Sequence, residues 1–149
     1  MVEPKRIVLV YSAMNGLILL VFWWLFPSKE TYFLKVNVSG FPSSKGYANV
    51  ALFNSSSGFP VYGKQYQGKV VSIKDGTCQV SFTGLPAGSY SVAVYHDENG
   101  NQKMDKNLFG APTEAYGFSN NVRPVFSAPS FEECKLNLSN DRSVNIKVK

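Results

Sequence analysis

From Thr31 onward the chain alternates. In "YFLKVNVSG" Leu34, Val36 and Val38 fall on one face and polar residues on the other. "YANVALFN" follows after a turn at Phe41–Gly46. "KVVSI" and "TCQVSFTGL" flank "KDG", an Asp-Gly hairpin signal, and Cys78, Val80 and Phe82 share a face of the second strand. "GSYSVAVYH" puts Tyr90, Val92, Val94 and His96 on one side. Near the C-terminus "KLNLS" and "SVNIKVK" read as a hairpin around Asn140-Asp141, with Val144, Ile146 and Val148 in step. A period of two places alternate side chains on opposite faces of a sheet. No stretch after Phe26 sustains a helical period. The expectation is an all-β sandwich of about seven short strands. Ser55–Gly68 and Asp97–Ser130 do not read as strands, and the second is long for a connection.

The first residues follow a different pattern. After Lys5 and Arg6, the run from Ile7 to Phe26 carries no charge. As a helix it would extend roughly 30 Å, the thickness of a bilayer core. Trp23 and Trp24 suit a membrane interface, and Pro27 stops the helix. The run exceeds the apolar region of a cleavable signal and ends in bulky residues, so an uncut anchor is expected. Residues 1–27 then form a cytoplasmic stub and transmembrane signal-anchor. Residues 28–149 form an exported body on the periplasmic or other extracytoplasmic side. The membrane, met through residues 7–26, is one expected partner and a membrane protein is another; Asn15, Gly16 and the tryptophans are the span residues placed to meet it.

Fifteen Lys and Arg against ten Asp and Glu give a net charge of +5, but the basic residues are scattered. With no basic helix and no aromatic RNA-binding signature, nucleic acid is not expected as a partner. Two separated cysteines, Cys78 and Cys134, leave open one disulfide in an oxidising compartment or two buried thiols.

The polar stretch after the fifth strand carries the candidate chemistry. "DENGNQKMD" sets Asp97, Asn99, Asn101 and Asp105 at positions 1, 3, 5 and 9 of a calcium-loop pattern, with the Lys103 carbonyl at position 7. Gln102 replaces the usual Gly at position 6, and Leu108 the usual Glu at position 12. Glu114 is a further oxygen donor that could fold back. Calcium is therefore the candidate cofactor, and a polar turn is the alternative. His96, the sole histidine, shares a face with Val92 and Val94, which points to a core residue bonded to loop backbone. No Gly-x-Ser-x-Gly pattern is present, and the chain is not expected to be an enzyme. Beyond Asn107, Phe109, Tyr116, Phe118 and Phe126 alternate with glycines and prolines. They form either a platform for a sugar or peptide, or a lid over the sandwich. "GFSNN" reads as a tight turn whose Ser119, Asn120 and Asn121 bond free backbone groups.

Two segments resemble known families. "GLPAGSYSVAVYHDENGN", Gly84 to Asn101, resembles the strand signature of transthyretin-like and carboxypeptidase-regulatory-like sandwiches. The run from Tyr95 through "MDKNLFGAPTEAYGFSNN" to Phe131 resembles an uncharacterised bacterial exported family, domain of unknown function 2141. That resemblance implies a single immunoglobulin/transthyretin-like sandwich outside the cytoplasm, and it implies no activity. The expected role is structural, or the binding of a ligand or partner. The alternatives are an accessory subunit of a larger membrane protein complex and a carbohydrate- or peptide-binding module.

Overall fold

The computed structural model describes residues 30–125 and 127–149. The expected anchor lies outside the described residues. Among these, no helix is long and apolar enough to cross a membrane. Eight strands form two sheets: β1 (Thr31–Ser39), β2 (Tyr47–Phe53), β3 (Gln67–Ser72), β4 (Thr77–Pro86), β5 (Gly88–Asp97), β6 (Tyr116–Phe118), β7 (Leu136–Leu138) and β8 (Arg142–Lys147). The smaller sheet has the order β4-β1-β8, and the larger β3-β2-β5-β6, with β7 also pairing β5.

The alternation read from the sequence is what packs the sheets together. Leu34, Val36 and Val38 of β1, Val80 and Phe82 of β4, Ile146 of β8, Val50 and Leu52 of β2 and Val92 and Val94 of β5 meet in one core. Burying such side chains contributes about 1.5–3 kcal/mol each, before chain entropy is counted. The outer face of the smaller sheet is polar. There the Asn37 amide donates to Ser143 Oγ at 3.2 Å and to Asn145 Oδ1 at 2.9 Å.

The larger sheet is covered on both faces. On the side away from the core, Phe53, Ser91 and Tyr95 are buried. The connections at 54–66 and 119–135 fold over that side. Phe59 packs edge-on against Phe53 at 5.1 Å and against Phe131 at 6.0 Å. Ser91 donates to the Phe131 carbonyl at 2.9 Å.

Three expectations change. The "KDG" turn forms, with Asp75 and Gly76 at positive φ and paired bonds between Lys74 and Thr77 at 2.9 Å. Its flanking strands nevertheless enter different sheets, so it is a corner and not the start of a long hairpin. The C-terminal hairpin does not form: β7 pairs antiparallel with the start of β5, and β8 pairs parallel with β1. Asp141, expected to turn a hairpin, instead accepts from Phe33 N–H at 3.0 Å, where β1 carries a bulge. Finally, the long connection contains an eighth strand, β6, only three residues long and centred on Gly117. Too short to alternate, it gave no period to read.

The registers fix two ends. Thr31, the residue after Glu30, pairs Pro86, which lies just before the start of β5 at Gly88. At the other end Ser39 pairs Lys147, and Tyr47 pairs Asp97. The Asp97–Ala115 connection therefore emerges at the end remote from Glu30.

Candidate functional site

His96 and Asp97 close β5 and diverge from there. His96 is 1% exposed, lies edge-on to Phe41 and bonds the Lys45 carbonyl through Nε2 at 2.7 Å. A carbonyl only accepts, so Nε2 carries the proton. The ring is a core strut tied to loop backbone, as its face in the strand implied.

Asp97 points the other way and nucleates the loop. Its Oδ1 accepts from Asn101 N–H at 3.0 Å and its Oδ2 from Gln102 N–H at 2.9 Å. Asn99 Oδ1 accepts from Asn101 N–H at 3.0 Å, and Asn101 Oδ1 from Lys103 N–H at 2.8 Å. Each side chain bonds backbone ahead of it, the local habit of Asp and Asn. Gln102 takes φ 61°, the left-handed value that glycine supplies at the sixth place of a calcium loop.

Asp105 and Glu114 tie the loop together. Asn99 Nδ2 donates to Asp105 Oδ2 at 2.6 Å, and Asn101 Nδ2 to Asp105 Oδ1 at 2.9 Å. Glu114 accepts from Glu98 N–H at 3.1 Å and from Asp105 N–H at 3.0 Å. Thus Asp97, Asn99, Asn101 and Asp105 do converge, with Glu114 folded back onto them. The fit to calcium is incomplete: amide nitrogens, not oxygens, face Asp105. Lys103 joins through its N–H, not its carbonyl. Among the described residues no three His, Cys, Asp or Glu side chains form a metal-holding group.

The aromatic residues divide. Asn107 Oδ1 accepts from Phe109 and Ala111 N–H at 2.9 and 3.0 Å, making a tight turn. Its tip holds Leu108 and Phe109 in solvent, 101% and 94% exposed. Tyr116 and Phe118 belong to β6, with rings 5.8 Å apart, and Phe118 is buried against Phe59. Phe118 is thus a lid residue, whereas Phe109 is not. Phe126 lies outside the described residues.

All three nevertheless line one groove of about 780 Å³. Its floor is Ala51 and Ala93 on the outer face of the larger sheet. Tyr62, Tyr95, Tyr116 and Phe118 form its walls, and Lys103, Lys106, Phe109 and Val125 lie toward the loops. The sequence reading missed Tyr62 and Tyr95. The signal was there for Tyr95: it alternates with Val94 and His96, so it must face away from the core. Tyr95 is 8% exposed, packs edge-on to Tyr62 at 6.1 Å, and its hydroxyl has no hydrogen-bond partner among the described residues. Burial pushes its phenol well above the ordinary value, with smaller contributions from Tyr62, Asp97 and Glu114.

The turn after β6 behaves as its composition implied. Ser119 Oγ accepts from Val92 N–H at 3.0 Å and donates to the Cys134 carbonyl. Asn120 Nδ2 donates to the Glu133 and Lys135 carbonyls, both at 3.1 Å. Asn121 bonds the Asn145 carbonyl at 3.2 Å and Lys147 N–H at 2.8 Å. Cys78 and Cys134, the disulfide candidates, are free thiols in separate places. Cys78 pairs Val38 in the smaller sheet, and Cys134 precedes β7 beside Ser119. Burial raises their thiols to about 11 and about 12, respectively.

No curated protein and no solved structure matches the chain. A family model described as "Uncharacterized protein conserved in bacteria (DUF2141)" matches residues 36–147, a span that holds every strand except the first residues of β1. The chain therefore belongs to this family of β-rich bacterial domains.

Proposed function

We propose that the domain is a binding module, anchored by residues 7–26 to a membrane and exposed on its outer side, whose ligand seats in the groove over the larger sheet. One observation carries this reading. Phe109, Tyr116 and Phe118 converge on a single concavity whose wall also holds the rings of Tyr62 and Tyr95. Concave, aromatic-lined surfaces with few polar groups are the usual form of a binding site. The sole histidine is sealed in the core against a carbonyl and a phenylalanine, which supports binding over a histidine-based activity. The Asp97–Asp105 loop acts as a brace for the groove wall, held by its own amide–carboxylate bonds.

The accessory-subunit reading is favoured by the Leu108–Phe109 tip, a fully exposed apolar pair on a rigid turn at the end remote from Glu30. Amide-shift mapping by NMR tests the main reading. The full chain, in mild detergent, would be titrated with a mixture of small aromatic and aliphatic probes. Shifts concentrated at Ala51, Ala93, Tyr95 and Tyr116 are expected. Shifts confined to the Asn37–Asn145 face would overturn the proposal.

A further inference from the structure

We infer that the groove takes an acidic peptide segment carrying an apolar anchor residue. The inference rests on the binding reading above and names its ligand class. Charge gives the first argument. Among the described residues, Lys103 and Lys106 are the only ionised side chains lining the groove, both are solvent-exposed, and no carboxylate lines it. An anionic ligand is favoured there and a cationic one disfavoured.

Tyr95 gives the second. Its ring lines the groove beside Tyr62 while its hydroxyl is enclosed, so the wall there offers an apolar surface to an apolar side chain. The acidic side chains then lie outward, at the two lysines.

The mouth gives the third. Val61, Phe109 and Val125 line it and are exposed. A glycan stacks on aromatic faces but gains little from the two valines, whereas a peptide's anchor side chain buries against all three. Ala51 and Ala93 leave room for that anchor on the floor.

The test is fluorescence anisotropy on the full chain with three labelled probes. One is a nonapeptide of alternating glutamates around a central phenylalanine and leucine, the second its lysine-for-glutamate counterpart, and the third an oligo-uronate glycan. The acidic peptide is expected to bind about tenfold or more tighter than the basic one, a preference that salt weakens. The double variant Lys103→Glu, Lys106→Glu, both at exposed positions, is expected to reverse it. Equal binding of the two peptides, preference for the uronate, or no peptide binding would overturn the acidic-peptide assignment. The Ala93→Trp variant, its folding checked by circular dichroism, separates this from failure of the groove itself. If bound probes ignore Ala93→Trp, the groove is not the site; if they are displaced by it but show no preference for acid, only the ligand class falls.

Discussion

Gly46 shows how one residue holds the site in place. A Cβ there would come within 1.9 Å of the Asp97 carbonyl, and the residue takes φ 64°. The β1–β2 connection lies this close because His96 draws the Lys45 carbonyl inward. Gly46→Ala is expected to cost about 2 kcal/mol or more, from strain and crowding together, read by urea denaturation. A change below the measurement error would show that the two connections are not pressed together. The cysteines offer a second residue-scale prediction. Both thiols are raised by burial, to about 11 and about 12, so their neutral form is favoured in the folded state. Between the unfolded thiol value near 9 and those folded values, the unfolded chain binds fewer protons than the folded one. Stability from this source is complete below about pH 9 and falls as pH rises through that window. At about pH 8 a thiol reagent should label the native protein slowly and the urea-unfolded protein promptly. Prompt native labelling of Cys134 would contradict its burial. These residues also show what the sequence conveyed. The inward faces of β1, β4, β5 and β8 follow from alternation alone, and the roles of His96, Ser119, Asn120 and Asn121 from residue type and place. Tyr62 was not legible, because its position depends on a Pro- and Gly-rich connection folding across a distant strand.

At the scale of elements, β5 changes partners along one edge. It pairs β7 over Gly88–Tyr90 and β6 over Ala93–Tyr95. Between them the Val92 N–H meets the Ser119 hydroxyl instead of a strand. Ser119→Ala leaves that buried donor unmet and is expected to cost about 1–3 kcal/mol, measured by thermal or urea unfolding. This edge is also where sequence reasoning failed. Short strands stitched by side-chain bonds have no period, and Asn140-Asp141 resembles a hairpin turn whether its strands pair or part. Parting is settled by long-range choices: β8 finds β1, and β7 finds the free start of β5. The Asp97–Asp105 loop is the other element with a testable claim. If its amides and carboxylates satisfy one another, millimolar calcium and a chelator should give the same melting temperature. A calcium-dependent rise of several degrees would require the Asn99 and Asn101 amides to turn their oxygens inward, and would make the loop an ion site.

Across the whole molecule, the two faces of the sandwich do different work. The smaller sheet presents a hydrogen-bonded polar surface at Asn37, Ser143 and Asn145. The larger sheet carries the groove, roofed by connections that arrive from both ends. The apolar tip stands at the end away from Glu30, so under the proposed anchoring Leu108 and Phe109 face away from the membrane. Replacing both with serine removes exposed surface only. The melting temperature should therefore stay within about a degree, since surface changes away from special features usually cost less than 0.5 kcal/mol. Capture of the acidic peptide should weaken. A marked loss of stability would mean that the tip packs against the body.

The parallel pairing of β1 with β8 has a mechanical consequence. Glu30 enters at one end of that pair and Lys149 leaves at the other. A pull between them runs along the strands and loads their rungs, from Leu34–Arg142 to Ser39–Lys147, side by side in shear. An antiparallel pair pulled from its two adjacent ends would instead unzip one rung at a time. The rate of forced unfolding should therefore be low for tension along the Glu30–Lys149 axis and higher for tension across it. A domain built this way can hold a load between a tether at one end and a grip at the other.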